Sequence, residues 1–66
     1  MKVRVNGNYT DVRSGISILE LLEELNINPK KVVVEVNLDI VPKDNYNNKI
    51  LEEGDRVEIV HFVGGG

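Results

Sequence analysis

The chain has no cysteine, a single histidine and no long apolar run. Without cysteine there is no disulfide framework, no thiolate metal site and no cysteine nucleophile, and a reducing compartment suits such a chain. His61 has no second histidine or cysteine with which to share a metal, so no metal site is expected. It also has no evident nucleophile to activate, because Ser14 and Ser17 read as parts of a turn and a helix cap. No apolar stretch approaches the roughly 18 residues of a membrane span, and Lys2 and Arg4 precede no apolar signal-peptide region. The expected placement is therefore cytoplasmic. Eight basic residues face 11 acidic ones, for a net charge of −3, and the basic ones are scattered. A partner bound through its phosphates needs a basic stripe, so nucleic acid is not expected. Glu23-Glu24 and Glu52-Glu53 are neighbours on a helix or turn and point apart, so they form no acid/base couple. No glycine-rich loop leads from a strand into a helix. The chain is not expected to be an enzyme or to bind a cofactor of its own.

What remains is a 66-residue chain with clear punctuation, enough for one domain. Lys2–Asn6 alternates polar and apolar residues as a half-buried strand does. Asn6-Gly7 signals a tight hairpin turn, and Tyr9–Arg13 returns as its partner. Ser17 with Glu20 forms a capping box, and Ile16 can staple onto Leu21. Ile18, Leu21, Leu22 and Leu25 then fall on one helical face, widened by Leu19. Asn26 suits a left-handed helix end, with Ile27 folding back on Leu22, and Pro29 prevents continuation. Val32–Asn37 is rich in β-branched residues and nearly all apolar, so both its faces are expected to be covered or the strand to be central. Ile40-Val41 is a short strand stopped by Pro42. Lys43–Lys49 is polar and reads as a loop or one irregular turn. Arg56–Val63 is the last strand.

This order predicts an α+β roll: a mixed sheet of four to five strands with one main helix packed across one face. The last strand is expected in the middle, parallel to the first. The β-grasp architecture matches this arrangement. Val3, Val5, Ile18, Leu22, Leu25, Val57, Ile59 and much of Val32–Val36 are the expected core. With Val57 and Ile59 inward, period two sends Glu58, Val60 and Phe62 to the other face, joined by Val33. With Val63 they form a candidate partner-docking surface ringed by acids. A bulge or a curled sheet that buries Phe62 is the competing arrangement. Residues 1–63 are expected to be the body, and residues 64–66 a flexible, reactive C-terminal tail. Gly64, Gly65 and Gly66 add no packing side chain, yet a narrow active site can admit them.

The most specific block is Gly54-Asp55-Arg56-Val57-Glu58-Ile59-Val60-His61-Phe62-Val63-Gly64-Gly65-Gly66. With Val5-Asn6-Gly7, Ile18-Leu19-Glu20-Leu21-Leu22 and Val34-Glu35-Val36-Asn37, it makes the whole chain resemble the ThiS family, the sulfur carriers of thiamine biosynthesis within the ubiquitin-like β-grasp carriers. The resemblance implies that the Gly66 carboxylate is adenylated by a ThiF-like enzyme using Mg-ATP and becomes a thiocarboxylate. The sulfur would come indirectly from a cysteine desulfurase and pass to a ThiG-like thiazole synthase. Gly64 and Gly65 would thread the terminus into both active sites. The alternatives are a carrier for molybdopterin synthase, another ubiquitin-like carrier, or a β-grasp binding module without a reactive tail.

Overall fold

A computed structural model describes residues 1–63. Lys2–Val5 (β1) and Asn8–Asp11 (β2) pair antiparallel. Asn6 and Gly7 between them both have positive φ, 50° and 84°. That is the turn a two-residue hairpin needs, because its twist matches that of the strands. Asn6 does more than turn the chain. Its side-chain amide donates to the Ile59 carbonyl (3.1 Å) and its side-chain oxygen accepts from the Ile59 N–H (2.7 Å). It thus continues, with a side chain, the parallel ladder between β1 and the last strand. Asn6→Asp keeps the acceptor and tolerates the left-handed backbone, but turns an oxygen toward the Ile59 carbonyl. A loss of about 1–3 kcal/mol is expected in urea unfolding, as for a buried partner left unsatisfied.

Ile18–Glu24 forms the helix α1, with the Ser17–Glu20 capping box present in both directions. Its other early donors find tertiary partners: the Ile18 and Leu19 N–H groups donate to the carbonyls of Lys49 (2.9 Å) and Tyr46 (2.8 Å). A helix start leaves such donors open, so the polar stretch after Pro42 serves as part of the cap. The Glu20 carboxyl is held below its usual range by the hydrogen bond from the Ser17 backbone, with Arg13 adding to the effect. At the other end Asn26 has φ 58°, and the Asn26 and Ile27 N–H groups donate to the carbonyls of Glu23 (3.1 Å) and Leu22 (2.9 Å). This paired arrangement closes a helix on a left-handed residue. It also corrects one expectation. The helix stops at Glu24, Leu25 becomes the capping residue, and its side chain is 39% exposed instead of buried. Ile27 folds back and packs against the core.

Val32–Val36 (β3) and Asp39–Val41 (β4) form a second hairpin, and Arg56–His61 (β5) is the last strand, two residues shorter than the expected Arg56–Val63. The sheet order is β2-β1-β5-β3-β4, with β5 parallel to β1 and antiparallel to β3. This mixed sheet of five strands with one helix on one face is the β-grasp roll. Val32, Val34 and Val36 are buried while Val33 is exposed, so β3 lies between two strands and covers only one face with apolar side chains. Leu38, at the β3–β4 turn, is 75% exposed with φ 75°, a conformation costly for a branched apolar residue.

The core joins Val3, Ile16, Ile18, Leu21 and Leu22 to the inward residues of β3 and β5. Val5 packs against it only half-buried. Tyr46, from the stretch read as a polar loop, and Leu51, just beyond it, are also buried. A short 3-10 turn at Lys43–Asn45 brings Tyr46 inward, where its hydroxyl donates to the Val32 carbonyl (3.3 Å) and burial pushes its phenol pKa up.

Candidate functional site

The face of the sheet opposite α1 is open. The β3–β5 register sets Val33 directly across from Val60, and Glu35 directly across from Glu58. Residues facing one another in this way share a side of the sheet. The neighbouring strand β4 adds Ile40, paired with Glu35 and also exposed. On the other flank Arg4 pairs with Arg56 and with Tyr9, and its guanidinium lies 5.3 Å from the Tyr9 ring.

Of the residues expected to form a docking surface, Val33, Glu58 and Val60 are therefore adjacent. Val33 is 39% and Val60 is 59% exposed, while Glu58 is half-buried. Phe62 follows the end of β5 and is 47% exposed, so it is not part of the core. Its N–H donates to the Lys31 carbonyl (3.1 Å), and its ring lies 4.9 Å from the Lys43 ammonium. Val63 is 97% exposed. Gly64, Gly65 and Gly66, the expected threading and reactive positions, lie outside the described residues.

Two outward residues escaped the sequence reading. Ile40 sits in a three-residue strand, too short for alternation to set its side. Tyr9 stands directly after the hairpin turn. Glu35 shares this face with Val33, but its pairing with Glu58 depends on a register that only the folded sheet displays.

The electrostatics of the face are one-sided at its centre. Glu35 and Glu58 oppose each other, and among the described residues neither forms an ion pair; those found are Lys2–Asp11, Arg13–Glu20 and Arg13–Glu24. Like charges facing across a strand pair weaken a sheet. An apolar pair flanked by two such carboxylates suits a partner that brings apolar and basic groups together. Among the described residues no three metal-ligating side chains cluster, and His61 is exposed. No described helix is long and apolar enough to cross a membrane.

The comparisons with known proteins agree over the whole chain. The ThiS family model matches residues 3–66. A thiazole synthase of Paramagnetospirillum magneticum is 42% identical over 66 residues, which are 100% of this chain and 20% of that protein. The chain thus spans about a fifth of the length of that relative. The sulfur carrier protein ThiS of Bacillus subtilis is 44% identical over 50 residues, 76% of each chain. The crystal structure of the thiamine biosynthesis protein ThiS from Geobacter metallireducens superposes with a TM-score of 0.87 and 30% identity, covering 100% of both chains. On the family match and these relatives, the chain belongs to the ThiS family of sulfur carrier proteins in thiamine biosynthesis.

Proposed function

We propose that this chain carries sulfur to a thiazole synthase as a thiocarboxylate on Gly66. The observation that carries this reading is the Gly64-Gly65-Gly66 run, separated in sequence from β5 of a ThiS-family fold only by Phe62 and Val63. The likeness to one fifth of a thiazole synthase supports a ThiG-like enzyme as the sulfur acceptor.

A glycine carboxylate is anionic and a poor electrophile. A ThiF-like enzyme would let one of its oxygens attack the α-phosphorus of Mg-ATP, releasing pyrophosphate and leaving an acyl-adenylate. The terminal sulfur of a persulfide, loaded by a cysteine desulfurase, would attack the acyl carbon and expel AMP. A second thiol then reduces the resulting S–S bond and frees the thiocarboxylate. The chain's own part is delivery. Its open face docks, and Gly64 and Gly65 pass through a channel too narrow for side chains. A cytoplasmic location belongs to the same proposal, since ATP and reducing thiols are both required.

Intact mass spectrometry tests the reading. The chain is incubated with a ThiF-type enzyme, Mg-ATP and a persulfide source. A mass gain equal to sulfur replacing oxygen, mapped to Gly66, is expected. An unchanged mass, with the enzyme active on another carrier, would overturn the proposal.

The docking face has its own signature. Replacing both Glu35 and Glu58 by Gln removes a repulsive cross-strand pair, so stability should rise by about 0.2–1 kcal/mol. Binding to the adenylating enzyme should weaken at the same time and lose salt dependence, because rim charges act through the field they present. Urea melts and titrations at two salt concentrations give the two signs. Unchanged affinity would remove this face from the docking surface.

A further inference from the structure

Lys43 takes no part in the carrier chemistry, yet three elements meet at its side chain. Strand β4 stops at Val41 because Pro42 has no N–H to donate to a ladder. At the start of β3 the Val32 carbonyl accepts from side chains: the Lys43 ammonium at 3.1 Å and the Tyr46 hydroxyl at 3.3 Å. The same ammonium lies 4.9 Å from the centroid of the Phe62 ring. One ammonium has three protons, so it can serve a carbonyl and face a ring together. Phe62 is held a second time by its N–H on the Lys31 carbonyl (3.1 Å). Among the described residues it is the last one tied to the body.

We propose that Lys43 is a positioning residue for the carrier reaction. By holding Phe62 it fixes the point from which the chain runs toward Gly66. The proposal rests on the carrier reading above. A purely structural role for Lys43 fits less well, because Tyr46 still satisfies the Val32 carbonyl when the ammonium is removed. The role it leaves open is the ring contact, and that contact has no other evident purpose in a half-exposed phenylalanine at the end of a strand.

The functional consequence follows from where binding and chemistry are separately set. The open face of the sheet holds the body on the enzyme and governs KM. The fraction of bound complexes with the carboxylate in place governs kcat. Without the ring contact Phe62 keeps only its backbone N–H on the Lys31 carbonyl, and losing a cation–ring contact at an exposed site lowers the share of correctly placed chains about two- to five-fold.

The test compares Lys43→Met, which keeps the aliphatic stem, with Lys43→Arg, which keeps the donor and the cation over the ring. Pyrophosphate release by a ThiF-type enzyme is followed with each chain as substrate. Lys43→Met should lower kcat about two- to five-fold, leave KM unchanged, and unfold at nearly the wild-type urea midpoint. Lys43→Arg should restore kcat. In the free protein, ¹⁵N relaxation should show a lower Phe62 amide order parameter in Lys43→Met than in the wild type or Lys43→Arg. Wild-type kcat in Lys43→Met, an unchanged Phe62 order parameter, or failure of Lys43→Arg to restore the rate overturns the clamp. A wild-type chain that is not adenylated at all overturns the carrier reading instead, and the relaxation result then judges the Phe62 contact alone.

Discussion

On the proposed carrier reading, deleting Gly66 should lower adenylation by more than about a hundred-fold and leave the urea midpoint where it was. The truncated chain still ends in a glycine carboxylate, so its intrinsic reactivity is the same. Its reach is not, because one residue spans about 3.3–3.6 Å. Displacement of a reacting atom by even 1 Å can cost about a hundred-fold when the rest of the geometry is held. Adding one residue after Gly66 errs by the same distance in the other direction and should fail equally. Stability should be untouched because, among the described residues, every buried side chain lies between Val3 and Ile59, and a glycine brings none of its own. Pyrophosphate release and intact mass report the first half, and a urea melt the second. Sulfur loading of the shortened chain at the normal rate would sink the idea that chain length is matched to a partner's site.

Leu22→Ala should cost about 2–5 kcal/mol, the range for a large apolar side chain removed from a packed interior. Leu22 is fully buried, faces the sheet from the middle of the core, and its carbonyl closes the helix end through the Ile27 N–H. The whole domain has roughly 3–10 kcal/mol to lose, at about 0.05–0.15 kcal/mol per residue. The variant therefore sits close to its unfolding threshold at room temperature. Leu25→Ala, three residues along, should cost less than about 1 kcal/mol because its side chain already meets water. Urea midpoints for the two variants, at equal slope, measure the contrast. Equal losses would mean that α1 continues through Leu25 in solution.

That pair also marks where sequence reasoning reaches its limit. The capping box at Ser17, the left-handed Asn26 and the Asn6-Gly7 turn are local devices, each completed within a few residues, and each was readable in advance. The central, parallel β5 was readable too, because a strand after a helix crossover has few places to go. Leu25 was misplaced because period alone does not say where a helix stops, and here the cap rotates the next apolar residue out. Tyr46 and Leu51 were missed for a different reason. Tyr46 stands alone in a polar stretch and Leu51 lies just beyond it, and both become core only because this part of the chain crosses the start of α1. At the candidate site, Val33, Glu58 and Val60 share a face for the simple reason that Val57 and Ile59 must point inward. The Lys43–Phe62 contact spans parts of the chain joined only by the finished sheet, so no local pattern announces it.

The position of β5 has a mechanical consequence. It is bonded on one flank to β1, in parallel, and on the other to β3, in antiparallel, and the chain leaves for Gly64 from its end. A pull on that end, along the strand, loads both ladders at once in shear. Rows of bonds strained together must rupture together, whereas a strand peeled from an edge gives way one bond at a time. If the terminus is drawn into a narrow channel, as the proposed function requires, the load falls on the part of the fold least able to unravel under tension.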